Sequence, residues 1–265
     1  NTLTGRIHEP PHVILDIGSG SGNTVLPCLE LFPESLIIAT DLSENLLAIL
    51  RDYSGRGMDR QRLSLVCMDV SKGYFLPRSV DLVVGASILH HLIDPSACLQ
   101  SVAVSLKKGS KALFFEPFEH GYAILRMAYE QILEHNEKMA KQKLSEQVVA
   151  CFKALITDWK VRAGSDKTAP FYQQIDDKWL FTRSYFEQIA ASVGAEKVEI
   201  IPLNVMENGF RVQTEVNLQL VLGIGADAAR NSVPDWVWGI VAWYDNAFSK
   251  DAKRDLPLEA AALFS

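Results

Sequence analysis

The fold is decided by one glycine-rich stretch, which reads Val13-Ile14-Leu15-Asp16-Ile17-Gly18-Ser19-Gly20-Ser21-Gly22. An apolar run ends in three glycines at alternate positions, and a helical pattern follows over 23–32. Glycine adopts backbone angles that other residues avoid, and it lets the chain lie directly against a ligand. The pattern predicts a buried strand, a ligand-binding loop and a helix, although a tight turn without a ligand would also use glycine.

The same alternation of strand and helix continues to residue 118. Strands are predicted at 12–16, 35–40, 63–68, 81–85 and 111–115, and helices at 23–32, 43–53 and 95–106. Because the strands are rich in Val, Ile and Leu on both faces, they predict a parallel sheet covered by helices. Such sheets bind ligands at the carboxyl ends of their strands.

The alternation of strand and helix ends after the fifth predicted strand. Long helical patterns fill 122–152, a polar loop follows at 163–177, and Thr182 is expected to cap a helix that stops at Gly194. Further strands are predicted at 197–203 and 258–264. We therefore predict one domain over 1–265, with a helical lid or substrate insertion at 119–181 and a second helical insertion at 204–256 before the last strand.

Carboxylates stand at the ends of two successive strands. Asp41 ends the second strand, 23 residues after Gly18, where it can accept hydrogen bonds from both hydroxyls of a ribose. Asp69 ends the third strand, where it can receive an adenine amino group. Either alone would also suit a helix cap or a loop, but their joint occurrence favours a nucleoside-containing ligand.

In these features the sequence resembles the class I, Rossmann-like S-adenosylmethionine-dependent methyltransferases. The resemblance covers residues 12–118 through the Asp-x-Gly-x-Gly-x-Gly loop, Asp41, Asp69 and the Leu-His-His-Leu segment at 89–92, and it is weaker over 182–265. It implies a three-layer α/β fold with a seven-stranded, mostly parallel sheet whose last strand is antiparallel. It also implies S-adenosyl-L-methionine as the cofactor.

The resemblance assigns roles to the strand ends. The glycine loop would face the methionyl part of the cofactor, Asp41 would bind the ribose, and Leu42 would pack on the adenine. The predicted cofactor-binding residues are Asp16, Gly18, Ser19, Gly20, Gly22, Asp41, Leu42, Met68, Asp69, Val70 and Ser87. A nicotinamide dehydrogenase is disfavoured because its fingerprint needs a glycine where Asn23 stands.

Histidines follow the fourth strand, and a glutamate follows the fifth. His90, His91 and Glu116 are the candidate catalytic residues, because a carboxylate that orients an imidazole makes a workable base for a hydroxyl or an activated carbon. The separation of His90 and Glu116 by 26 residues is also similar to the His/Glu pair of polyketide-synthase C-methyltransferase domains. The alternative is that the histidines cap a helix or shape the pocket.

The region after the fifth strand is expected to recognise the methyl acceptor. Candidate acceptor-site residues are Glu119, His120, Tyr122, Phe171 and Tyr172. Each has a plainer alternative, since the charged ones suit a solvated loop and the aromatic ones suit helix packing.

Composition excludes several classes of partner. The net charge of −6, from 26 basic and 32 acidic residues, disfavours nucleic acid. The four cysteines form no Cys-x-x-Cys pair, so no metal site is predicted. No apolar run reaches the roughly 20 residues of a membrane span, and we expect a cytoplasmic protein without a membrane partner.

The sequence supports two hypotheses from different classes. The first is an enzyme that methylates oxygen or carbon of a small-molecule or carrier-tethered acceptor, such as a polyketide or other natural-product intermediate. The second is a catalytically silent, methyltransferase-like binding module. In either case, we expect the chain to be one domain of a larger polypeptide.

Overall fold

The computed structural model describes residues 5–7, 9–54, 61–72, 75–203, 205–248 and 250–265. The strands are β1 Val13–Ile17, β2 Leu36–Asp41, β3 Leu63–Cys67, β4 Val80–Ala86, β5 Leu106–Pro117, β6 Val198–Pro202 and β7 Glu259–Phe264. The helices are α1 Val25–Leu31, α2 Glu44–Ser54, α3 Pro95–Ser105, α4 Glu119–Lys138, α5 Glu146–Arg162, α6 Arg183–Val193, α7 Gly209–Leu222, α8 Ala226–Asn231, α9 Asp235–Ala247 and α10 Lys250–Asp255. Short 3-10 helices cover Val70–Lys72, Leu89–His91 and Pro170–Gln173.

The strands form one seven-stranded sheet in the order β3-β2-β1-β4-β5-β7-β6. Strands β1 to β5 pair in parallel. Strand β7 runs antiparallel to β6, because Ser265 pairs with Lys197 at one end and Glu259 pairs with Leu203 at the other. The predicted seven-stranded, mostly parallel sheet with an antiparallel last strand is confirmed.

Two strands differ from the prediction. Strand β3 lies at the edge of the sheet, so Val66 is exposed and the strand is not buried on both faces. Strand β5 begins at Leu106 instead of Lys111, because its first residues extend the pairing back to Val80 through an irregular register. Local signals in the chain could not reveal this pairing partner.

Helix ends follow the predicted chemistry. The Thr182 hydroxyl accepts a hydrogen bond from Tyr185 N at 3.1 Å and caps α6, which ends at Gly194 in a left-handed conformation with φ +74°. Both ends of this helix were predicted, and both are confirmed. Among the described residues, no helix is both long enough and apolar enough to cross a membrane.

The chain divides into two compact units. The sheet unit comprises Asn1–Pro117, Asp166–Ile201 and Ala260–Ser265, and the helical unit comprises Phe118–Ser165 and Pro202–Glu259. Most of both predicted insertions lies in the helical unit, but 166–181 groups with the sheet unit. Asn204 and Ser249 of the second predicted insertion lie outside the described residues.

The helical unit has its own buried core. The fully buried ring of Tyr129 packs against Phe152 with ring centroids 4.5 Å apart. Its hydroxyl donates to Thr214 Oγ1 at 3.2 Å and accepts from Asn217 Nδ2 at 3.0 Å. These bonds tie α4 to α7 because a buried phenol needs partners.

Gly121 in α4 allows a close backbone approach, and this suggests a test of packing in the helical unit. A Cβ at this position would lie 2.5 Å from both Leu258 N and Pro257 O, which are backbone atoms that cannot turn aside. We expect Gly121→Ala to lower the free energy of unfolding by about 1–3 kcal/mol in urea titrations. Gly239 is the matched control, because it lies in α9 with open space around it, and Gly239→Ala should stabilise by about 0.5–1 kcal/mol. Equal stability of the two variants would contradict the packing.

Candidate active site

The glycine loop joins β1 to α1 in a backbone conformation that needs glycine. Gly18, Gly20 and Gly22 have φ values of +68°, +54° and +109°. A Cβ at Gly18 would lie 2.6 Å from Ile88 Cγ1, so the loop packs directly against the segment that follows β4. A Cβ at Gly20 would meet no described protein atom within 4 Å. Gly20 therefore faces open space, which we name the cradle.

Asp41 fastens this loop to the end of β2. Its Oδ2 accepts a hydrogen bond from Gly20 N at 2.8 Å, and its Oδ1 accepts one from Ser43 N at 2.8 Å. The Asp41 carbonyl accepts a bond from Met68 N at 2.9 Å, which brings the end of β3 to the same edge. Each carboxylate oxygen keeps a second lone pair for another donor.

Asp16 is fully buried beneath the loop. Its Oδ2 accepts a short hydrogen bond from the Thr24 hydroxyl, while Oδ1 has no hydrogen-bond partner among the described residues. Burial raises the pKa of Asp16 to about 7, while the hydrogen bond from the Thr24 hydroxyl acts to lower it. A buried carboxylate with an unpaired oxygen is costly to the fold, which is typical of a binding position.

The other predicted cofactor residues lie at the same edge. Asp69 caps the 3-10 helix at 70–72 by accepting from Ser71 N at 3.0 Å and Ser71 Oγ at 2.6 Å, and these bonds lower its pKa. Leu42 is 74% exposed, a large apolar side chain beside Asp41 with little protein contact. Ser87 holds a left-handed φ of +56° at the end of β4. Strain at a non-glycine residue of this kind occurs at functional sites.

Glu116 joins the ends of β4 and β5. Its buried carboxylate accepts from Leu89 N at 2.8 Å and Ile88 N at 3.1 Å, and its Oε2 lies 2.6 Å from His90 Nδ1. Because an ionised carboxylate only accepts, Nδ1 carries the proton. In neutral His90, Nε2 is then the free base.

A second carboxylate faces the other side of His90. Asp177 Oδ1 lies 3.5 Å from His90 Nε2 and 3.3 Å from His91 Nδ1. Burial lowers the pKa of His90, but the Asp177 and Glu116 carboxylates outweigh this effect and raise it to about 9. The sequence alone suggested an unperturbed value near 6.5.

The segment 176–179, which we name the strap, places Asp177 there. Lys178 N donates to His90 O at 2.7 Å, and Trp179 Nε1 donates to Leu92 O at 2.8 Å. His91 Nδ1 lies 3.2 Å from Asp176 O. The sequence indicated only a loop here, and no local signal pointed to Asp177. The return of this loop along the 3-10 helix at 89–91 is a tertiary feature.

The sequence predicts no metal site, but one cluster of side chains in the described residues could hold an ion. One ring nitrogen each of His90 and His91 and a carboxylate oxygen of Asp177 all lie within 4.8 Å of one another. The same distances suit proton sharing between imidazole and carboxylate. The absence of a metal therefore stays a prediction.

The predicted acceptor residues fall in both units. In the helical unit, Glu119 accepts from Gly164 N at 3.0 Å, His120 is exposed, and Tyr122 is buried against Trp159. In the sheet unit, half-exposed Phe171 packs on buried Tyr172 with ring centroids 4.1 Å apart. Their role in acceptor recognition stays a prediction.

Comparison with known proteins supports the resemblance over the first part of the sheet. Residues 15–112 match the family model described as "Methyltransferase domain". An uncharacterised protein of Synechococcus sp. is 30% identical over 119 residues, which are 45% of this chain and 28% of that protein. The highly reducing polyketide synthase PKS2 of Leptosphaeria maculans is 30% identical over 128 residues, which are 44% of this chain and 5% of the synthase. The chain thus spans a small part of these relatives.

A solved structure shares the fold. Phosphoethanolamine N-methyltransferase 2 of Haemonchus contortus, in complex with S-adenosyl-L-methionine, superposes with a TM-score of 0.53 at 19% identity. The match covers 97% of this chain and 48% of that one. At this identity the likeness concerns the fold alone. Residues 15–112 thus match a methyltransferase family model, and the chain has the class I Rossmann-like fold.

Proposed function

We propose that this chain is an S-adenosylmethionine-dependent methyltransferase in which His90 removes a proton from an oxygen or activated-carbon acceptor. The observation that carries this proposal is the buried 2.6 Å contact between His90 Nδ1 and Glu116 Oε2, at the strand ends next to the glycine loop. A hydroxyl or an activated C–H group needs a base before it can be methylated, and a carboxylate-oriented imidazole is such a base.

The residues present fit the cofactor. The open cradle at Gly20 leaves space where a side chain would otherwise stand, and the unpaired Asp16 Oδ1 suits a cationic amino group. Exposed Leu42 offers an apolar surface to an adenine ring. The free lone pairs of Asp41 suit two ribose hydroxyls.

We accordingly assign the predicted cofactor-binding residues to parts of this ligand. Asp16, with Ser19 and the loop glycines, would hold the methionyl part. Asp41 would hold the ribose. The adenine would lie among Leu42, Met68, Asp69 and Val70, with Ser87 at the neighbouring strand end. When bound, S-adenosylmethionine supplies a methyl group on a positively charged sulfur.

The chain's own contribution to the reaction is orientation and proton removal. Glu116 fixes His90 with Nδ1 protonated, so Nε2 accepts the acceptor's proton and Glu116 balances the imidazolium charge. Holding the acceptor against the methyl donor supplies further rate through proximity.

Two observations favour a carrier-tethered acceptor that is methylated on carbon. The relative PKS2 is a highly reducing polyketide synthase, and the His90–Glu116 spacing is similar to that of polyketide-synthase C-methyltransferase domains. The chain would then act as one domain of a larger polypeptide. The test is a labelled-methyl assay that compares β-ketoacyl pantetheine thioesters with phenols. Labelled β-ketoacyl product supports carbon, labelled phenol supports oxygen, and cofactor binding without any product would favour the silent module.

The cradle predicts a selective loss of cofactor affinity. Gly20→Ala should lower the affinity for S-adenosylhomocysteine at least tenfold, because the methyl group would fill the cradle. Because φ is positive at this position, the substitution should also lower the free energy of unfolding by about 1–2 kcal/mol. Gly194→Ala is the matched control, since Gly194 has a similar φ and open surroundings at the end of α6. It should show a similar stability cost and unchanged affinity in calorimetric titration. Unchanged affinity in Gly20→Ala would contradict the assignment.

Asp16 predicts a pH dependence of cofactor binding. Because only the ionised carboxylate pairs with an ammonium group, affinity for S-adenosylhomocysteine should rise by up to about tenfold as pH increases from about 6 to 8 through the raised pKa of about 7. Asp16→Asn should bind more weakly and lose this rise, while Asp52→Asn on α2 should retain it. A flat profile in the unsubstituted chain would rule out an ionising Asp16 as the cause.

The His90–Glu116 pair predicts non-additive losses of turnover. His90→Ala should lower kcat about a hundredfold or more with nearly unchanged cofactor affinity, and Glu116→Gln should cost less. The double variant should resemble His90→Ala, because the two residues act as a unit. Since only neutral imidazole accepts a proton, kcat/KM should rise with pH through the free-protein pKa of about 9. Full activity of His90→Ala would remove it as the base.

A further inference from the structure

The nitrogen of His90 that must receive the acceptor's proton already faces a carboxylate. Nδ1 is held by Glu116 at 2.6 Å, and Nε2 lies 3.5 Å from Asp177 Oδ1. His90 is 6% exposed, whereas the Asp177 side chain is 39% exposed. Asp177 thus stands between a buried imidazole and water, on the side from which an acceptor proton would arrive.

The strap is anchored through its main chain and neighbouring side chains. Lys178 N bonds His90 O at 2.7 Å, and the Lys178 ammonium donates to Ile175 O at 2.6 Å and Asp176 O at 3.0 Å. Trp179 Nε1 bonds Leu92 O. These anchors do not involve the Asp177 carboxylate, so displacement of that carboxylate from His90 would leave the anchors themselves in place.

We propose that Asp177 is a positioning residue that occupies the Nε2 side of His90 before the acceptor binds and is displaced from it by the acceptor. This inference rests on the proposed role of His90 as the base. With Asp177 against it, Nε2 carries a proton, and the imidazolium is held between two carboxylates. When the acceptor displaces Asp177, that proton passes to water. The freed Nε2 lone pair then takes the acceptor's O–H or C–H proton.

The charges around His90 give the direction of the effect. Glu116 on β5 and Asp177 on the strap both favour the imidazolium, while burial opposes it. His91, on the same 3-10 helix as His90, contacts Asp177. The strap also carries the buried Lys178 ammonium. The Cys98 thiol on α3 is close enough to interact with Glu116. Removal of Asp177 leaves one carboxylate against burial. The base would then be unprotonated at a lower pH.

The first experiment measures protonation directly and requires no acceptor. The imidazole signals of His90 are followed by NMR against pH in the whole chain, with S-adenosylhomocysteine and EDTA present. Asp177→Asn should lower the pKa of His90 by at least about one pH unit. Asp176→Asn is the matched control, because it removes the same charge one residue away, and it should leave that pKa nearly unchanged. A His90 pKa in Asp177→Asn equal to that of the unsubstituted chain would overturn the proposal.

The second experiment uses steady-state kinetics with a β-ketoacyl pantetheine thioester, the acceptor that the proposal above favours. The kcat/KM profile reports the free protein and the kcat profile reports the complex, so the acid limb of kcat should lie at least about one pH unit below that of kcat/KM. In Asp177→Asn the two limbs should coincide, and kcat/KM at pH 7 should rise at least about fivefold. Asp177→Ala should behave alike, which guards against an effect peculiar to the asparagine.

The two proposals fail in different ways. If His90→Ala keeps full turnover, His90 is not the base, whatever the NMR titration shows. If His90→Ala is inactive but Asp177→Asn leaves both pH limbs where they were, the base stands and the role of Asp177 is refuted. A uniform loss of kcat in Asp177→Asn at every pH would likewise refute displacement, because it would show that Asp177 contributes to the reaction itself.

Discussion

The buried carboxylate of Glu116 is the constraint on which the site depends. It accepts hydrogen bonds from Ile88 N and Leu89 N, and it contacts His90 Nδ1. One side chain at the end of β5 therefore shapes the turn after β4 and sets the tautomer of the imidazole that the turn carries. Ile88 in turn packs on Gly18 of the glycine loop. The three central strand ends are thus joined by one continuous set of contacts.

Asp41 has the corresponding place beside the glycine loop. Its two carboxylate oxygens hold Gly20 N and Ser43 N, and its carbonyl holds Met68 N. A single residue thus ties the glycine loop, the start of α2 and the end of β3 together. Contacts within the protein therefore hold the loop in shape, and such preorganisation reduces the ordering cost of binding a ligand. Asp16 differs from Asp41, because one oxygen of its buried carboxylate is unpaired and this destabilises the fold. A cationic group of a ligand would relieve this cost.

Much of the sheet unit could be predicted because its signals are local. The apolar runs, the glycines and the Thr182 and Gly194 helix ends are each defined within a few neighbouring residues. The extended start of β5 could not be predicted, since its pairing with Val80 depends on a strand 26 residues away. The grouping of 166–181 with the sheet unit was missed for the same reason, because a polar loop carries no periodicity to show where it returns.

The sequence by itself determined the order of strands and helices, the glycine loop, and the residue types at the strand ends. Side-chain chemistry at those positions was enough to single out Asp16, Asp41, His90 and Glu116. Only the tertiary structure decided which groups meet. It brought Asp177 to the second nitrogen of His90 and raised the pKa of that imidazole, which alters the pH at which the ring becomes neutral. The physical reason is that electrostatic interactions depend on distance and burial, and residues 90 and 177 become neighbours only when the strap folds back along the chain.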